Sequence, residues 1–134
     1  MSNDVIFSFH HIGLACKKLE TEIRSHEMLG YKKESTIFVD KTQKVKGIFM
    51  VINHFRVELL EPLDKESPIN NYLKKGIRMY HQCFTTRDIE KAIHFLQEQG
   101  AILVVKPVEA IAFDQRKIAF LYLRTQMLIE LIEE

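Results

Sequence analysis

Two stretches of this chain repeat each other, and the repeat falls on residue types that can ligate a metal. His11 stands 19 residues before Gly30, and His81 stands 19 residues before Gly100. Leu19 and Ile89 each follow their histidine by eight residues and open a helix-like pattern. One copy closes on Val57-Glu58-Leu59-Leu60-Glu61, the other on Ile129-Glu130-Leu131-Ile132-Glu133. His11 to Glu58 is 47 residues, and His81 to Glu130 is 49. A repeat of this kind is one supersecondary unit used twice, so it constrains every later assignment.

The pattern within each copy gives its elements. Residues 5–16 mix aromatic, β-branched and small side chains, which predicts a strand. Alternation then puts His11 on one face with Phe9, Gly13 and Ala15, and His10 on the other. Residues 17–29 carry Leu19, Ile23 and Leu29 among charges, an amphipathic helix. Gly30 suits the left-handed residue that ends it. Strands are expected at 31–39, 44–52 and 56–61, with Asn53-His54 as the tight turn between the last two. Residues 63–76 form a polar connector with a turn at Ser67-Pro68 and a short helix near 69–74.

The second copy begins with a strand at 77–85. Thr86 is the expected N-cap of the next helix, with Asp88 in its first turn. Ile89, Ala92, Ile93 and Leu96 recur at the spacing of one helix face. Gly100 stops that helix. Strands are expected at 101–106, 117–123 and 127–133, with a further short piece near 109–113. Each half therefore reads β-α-β-β-β. The class is α+β, one domain over 1–134, with modules at about 5–62 and 77–134.

Size and charge narrow the function classes. A chain of 134 residues buries roughly 68% of its unfolded surface, enough for a proper core. Nineteen basic and eighteen acidic residues nearly cancel, which argues against nucleic acid or an anionic membrane as partner. The start lacks a basic segment followed by an apolar one, and no apolar run approaches the ~20 residues of a membrane helix. A cytoplasmic protein with a small-molecule substrate is expected. Cys16 and Cys83 do not form a C-x-x-C pair and are read as reduced thiols.

The repeated His and Glu carry the chemistry. Divalent Zn, Co, Ni, Mn or Fe accepts imidazole and carboxylate ligands together. His11 and His81 fall on the first strands of the halves, Glu58 and Glu130 on the last. Taken singly, a strand histidine is a core or surface residue, and a strand glutamate is the solvent face of an edge strand. Four such residues at equivalent places make a metal site the better reading. Two nitrogen and two oxygen ligands leave positions open for water or substrate. His26, His54 and His94 do not repeat and are read as surface residues.

Phe9-His10-His11-Ile12-Gly13-Leu14-Ala15, Val57-Glu58-Leu59-Leu60-Glu61-Pro62-Leu63 with Glu66-Ser67-Pro68-Ile69, Lys117-Ile118-Ala119-Phe120-Leu121 and Leu128-Ile129-Glu130-Leu131 carry a family resemblance. Together they resemble the vicinal oxygen chelate (glyoxalase and bleomycin-resistance) superfamily, nearest its methylmalonyl-CoA epimerase-like branch. The resemblance implies two modules forming a cupped mixed sheet with helices outside, a homodimer, and His11, Glu58, His81 and Glu130 as metal ligands. It implies an isomerase or epimerase that moves a proton next to a carbonyl, with Glu130 as ligand and base. A glyoxalase-type lyase and a non-catalytic, resistance-type binding protein are the alternatives; an extradiol-type dioxygenase fits less well.

The chain departs from the branch in places. The acid expected before Gln43-Lys44-Val45 is Thr42, and a threonine is no base near neutral pH; Asp40 is the nearest acid and the candidate second base. Tyr80 replaces one of a doubled histidine, and Gln82 an aliphatic residue. Phe113-Asp114-Gln115-Arg116 lacks the glycines common there. Arg116, Lys117, Lys44 and Lys46 are read as scattered surface cations rather than a phosphate site.

Overall fold

The computed structural model describes residues 5–134. They divide into two compact units: His11–Tyr80, and His81–Glu134 together with the described residues up to His10. The described residues hold nine strands, in mixed parallel and antiparallel pairing, and three α-helices.

The unit His11–Tyr80 takes in most of β1 (Ser8–Ala15), then α1 (Leu19–Met28), β2 (Lys32–Lys33), β3 (Phe38–Asp40), β4 (Val45–Ile52), β5 (Phe55–Pro62) and α2 (Ile69–Lys74). The strands run β2-β4-β5-β1, and β3 also pairs with β4. β1 is parallel to β5; the other pairs are antiparallel. Leu19 and Ile23 of α1 pack on Ile48, Met50, Val57 and Leu59, which fill one face of β4 and β5. On the opposite face Ile69 of α2 packs with Ala15, Val45 and Leu60. Strands covered on both sides lose the simple apolar–polar alternation.

The expected strand over 31–39 is two short ones. The break has a local cause. Glu34 N still donates to Phe49 O at 2.9 Å, but the Phe49 amide donates to Ser35 Oγ at 3.0 Å. A side-chain oxygen takes the place of a ladder carbonyl, and the regular pairing stops there. At the β4–β5 hairpin, Asn53 takes a φ of 55°, the left-handed conformation that asparagine tolerates.

The other unit holds β6 (Met79–Thr86) from His81 onward, α3 (Ile89–Glu98), β7 (Ile102–Ala110), a 3-10 turn at Ile111–Phe113, β8 (Arg116–Tyr122) and β9 (Leu128–Glu133). The strands run β6-β9-β8-β7. β6 is parallel to β9, and the β8 pairings are antiparallel. Ile89, Ala92 and Ile93 of α3 pack on Ala119, Leu121, Ile129 and Leu131. Thr86 is the last residue of β6, not the helix cap. Asp88 caps α3, accepting from Lys91 N at 3.1 Å. The expected piece at 109–113 is the end of a longer β7, which shifts register after Leu103 and again after Val105, followed by the 3-10 turn. Asp114 and Gln115 take φ of 54° and 65°, so the backbone keeps a glycine-like turn without glycine.

Both long helices end alike. In α1, Gly30 N donates to Glu27 O and Tyr31 N to His26 O; in α3, Gly100 N donates to Gln97 O and Ala101 N to Leu96 O. These are the two bonds of a Schellman cap, with Gly30 (φ 104°) and Gly100 (φ 95°) as the left-handed residue. The matched histidine-to-glycine spacing thus sets one strand-plus-helix length in both modules.

Two stability outcomes follow. A β-carbon on Gly47 of β4 would sit 2.7 Å from the Leu59 carbonyl oxygen and 2.7 Å from the Phe38 ring. Gly47→Ala is expected to lower stability by about 1–3 kcal/mol, the cost of overpacking, read as a reduced urea midpoint. Cys16 is buried behind β1, and its Sγ lies 3.4 Å from Leu60 O. Burial, with help from Glu22 and Glu61, pushes its thiol up to about 12, while Arg78 pulls it down. The thiol of the unfolded chain titrates at its ordinary value, 9.0, so the unfolded chain ionises first. The stabilisation is complete below that pH and is lost as pH rises toward 12. Denaturation midpoints across this range are expected to fall more steeply for wild type than for Cys16→Ala.

Candidate metal centre

Strand register brings each histidine to its glutamate. Gly13 of β1 lies opposite Glu58 of β5. His11, two residues earlier, shares that face, so its imidazole and the Glu58 carboxylate leave the sheet on one side. His11 Nε2 lies 3.0 Å from Glu58 Oε1. In the other unit Cys83, two residues after His81, lies opposite Glu130 of β9. His81 Nε2 lies 3.0 Å from Glu130 Oε1. The repeat therefore holds down to single-residue register and to the atoms that meet.

The surroundings repeat as well. Phe49 is the cross-strand partner of Glu58, and Phe120 that of Glu130. The Phe49 ring stands edge-on to His11, 5.3 Å between centroids, and the Phe120 ring edge-on to His81, 5.5 Å. Neither phenylalanine is among the site residues expected from the sequence. The signal for them was there, in Lys46-Gly47-Ile48-Phe49 and Lys117-Ile118-Ala119-Phe120 at matched places. The two histidines and two glutamates are 0–4% exposed. Buried carboxylates need a positive or hydrogen-bonding partner. Each unit thus brings one buried imidazole to one buried carboxylate, His11 to Glu58 and His81 to Glu130. That mixed donor chemistry fits a divalent transition metal.

The remaining candidates are placed as follows. Asp40, buried at the end of β3, accepts from Gln43 N at 3.0 Å and from Gln43 Nε2 at 3.4 Å. Its carboxylate closes the β3–β4 turn, in which Thr42 is exposed. His10 stands edge-on to Phe113 at 5.7 Å. His54 and His94 are exposed, but His26 is buried: its ring packs on Tyr31 and its Nδ1 lies 3.0 Å from Glu22 O. Lys44 pairs with Glu66, Lys46 Nζ lies 3.9 Å from Glu61, and Arg116 Nε donates to Phe113 O at 3.1 Å. Neither cysteine is in a disulfide, and both are buried. No helix among the described residues is long and apolar enough to cross a membrane.

Residues 10–120 match the Glyoxalase/Bleomycin resistance protein/Dioxygenase superfamily. The chain belongs to that superfamily. It is similar to the mitochondrial methylmalonyl-CoA epimerase of Dictyostelium discoideum, 24% identical over 96% of this chain and 80% of that protein. Its fold matches a hypothetical protein of Bacillus halodurans with a TM-score of 0.82 at 27% identity, over 98% of this chain and 96% of that one. It also matches Streptomyces coelicolor methylmalonyl-CoA epimerase in complex with 2-nitronate-propionyl-CoA, with a TM-score of 0.84 at 22% identity, over 96% and 99% of the two chains. The glyoxalase-like α+β fold of this superfamily is the fold of this protein.

Proposed function

We propose that the protein is a divalent-metal-dependent isomerase or epimerase that moves a proton on the carbon next to a carbonyl, with an acyl-CoA as its substrate class. The observation that carries this reading is the buried imidazole–carboxylate pair, made by the same atoms at the same register in each module. His11, Glu58, His81 and Glu130 would hold the ion, drawn from Zn, Co, Ni, Mn and Fe. The bound ion would supply Lewis acidity, favouring negative charge on a carbonyl oxygen as the neighbouring C–H is deprotonated. Glu130 is the carboxylate assigned to take and return that proton. The buried Phe49 and Phe120 rings pack against the two imidazoles, and apolar cover of that kind strengthens electrostatic interactions beside it. The acyl-CoA class is suggested by the relatives, one named for methylmalonyl-CoA epimerisation and one bound to an acyl-CoA analogue.

One observation favours a second reading, a non-catalytic small-molecule binding protein. Thr42 is exposed where the epimerase-like branch has an acid, and Asp40 is engaged by Gln43. In the isomerase reading Glu130 is the first base and Asp40, held by Gln43, the proposed second.

Elemental analysis and isotope exchange decide the matter. Purified wild type is expected to carry stoichiometric metal, and the His11→Ala, His81→Ala double variant none. In D2O, the metal-loaded enzyme is expected to place deuterium next to the thioester carbonyl of an accepted acyl-CoA. Glu130→Gln is expected to slow this roughly 10²–10⁴-fold. Absence of uptake across a broad acyl-CoA panel, with metal bound, would leave the binding reading standing.

A further inference from the structure

The Glu-x-x-Glu spacing that closes each module leaves its second glutamate outside the metal set. Three residues along a strand reverses the face. Glu61 and Glu133 therefore point to the helix side of β5 and β9, away from the histidines. There each carboxylate meets one backbone amide. Glu61 Oε1 accepts from Leu19 N at 2.7 Å, and Glu133 Oε2 accepts from Ile89 N at 3.0 Å. Leu19 and Ile89 are the first residues of α1 and α3, the helices entered from the strands that carry His11 and His81.

The two links do the same job in different local settings. The N-cap of α1 is Lys18, which offers no side-chain cap; Glu61 supplies the acceptor from a strand 42 residues away. In α3, Asp88 serves Lys91 N, and the Ile89 amide is left to Glu133. A carboxylate at a helix N-terminus meets both an orphan donor and the positive end of the helix dipole. Beside the first link, Cys16 N donates to Leu60 O at 2.8 Å; beside the second, Glu134 N donates to Thr86 O at 2.9 Å. In each module, the end of the glutamate strand is thus tied to the segment leaving the histidine strand.

We propose that Glu61 and Glu133 are positioning residues for the two His–Glu pairs. The carboxylate-to-amide bond on the helix face fixes the end of β5 against the exit of β1, and so fixes the Glu58 carboxylate against His11. Glu133 does the same for Glu130 and His81. The consequence for metal binding rests on the proposed function; the consequence for pair geometry does not.

Imidazole ¹⁵N–¹H spectra of the metal-free protein read each pair directly. Glu61→Ala is expected to shift the His11 ring signals and spare those of His81, and Glu133→Ala to do the reverse. Glu61→Gln and Glu133→Gln keep an acceptor oxygen and are expected to restore the wild-type positions. If the alanine variants do not fold, Glu61→Asp and Glu133→Asp, whose carboxylates are one methylene shorter, are expected to give the same shifts. Unmoved ring signals in folded Ala or Asp variants would overturn the proposal and make both glutamates simple helix caps. In cobalt titrations the Ala variants are expected to bind about tenfold more weakly, with altered visible bands. A wild type that takes up no cobalt would sink the metal reading, while the ring spectra still judge the positioning role.

Discussion

A strand buried on both faces presents successive side chains to two environments, and β5 and β9 depend on that alternation. Even positions in each, Glu58 and Leu60 or Glu130 and Ile132, face the side that carries the histidine. Odd positions, Val57, Leu59 and Glu61 or Ile129, Leu131 and Glu133, face the helix. The apolar members secure the packing, so the carboxylates between them have no freedom to choose a face. Sheet register, helix docking and placement of the ligand-type side chains are therefore one constraint.

The same constraint explains how charge is tolerated inside each half. Isolated buried carboxylates are costly, yet Glu58 and Glu130 each face an imidazole nitrogen at hydrogen-bond distance. The flanking Phe49 and Phe120 rings lower the local dielectric and make that partnership stronger. An arrangement of buried, matched nitrogen and oxygen donors suits a superfamily whose name spans glyoxalases, resistance proteins and dioxygenases. Such a shared scaffold does not select the reaction by itself.

Much of this was legible in the amino-acid order because duplication amplifies weak signals. The α3 stripe, the glycine at the end of each long helix and the strands bearing His11, Glu58, His81 and Glu130 are legible from residue type and spacing. What escaped were features that depend on partners distant in sequence. The break between β2 and β3 arises from Ser35 reaching the Phe49 amide, which no local propensity reports. His26 looked exposed because a histidine amid charges usually is, but Tyr31 covers it. A strand ending at residue 85 would make Thr86 the cap; β6 runs one residue further, and Asp88 caps α3 instead. Glu61 and Glu133 are visible as repeated letters, yet a strand-end glutamate ordinarily faces solvent, and the backbone amide each one accepts from lies on a helix more than 40 residues away.

The irregular course of β7 has a consequence of its own. Among the described residues this strand pairs only with β8, and it exposes Ile102 and Val104. An apolar border of that kind invites another chain to extend the sheet. Two register shifts, Lys106 and the amide-less Pro107 interrupt it. A neighbouring strand would find no continuous row of donors to copy, so fibrous self-association from this border lacks a template.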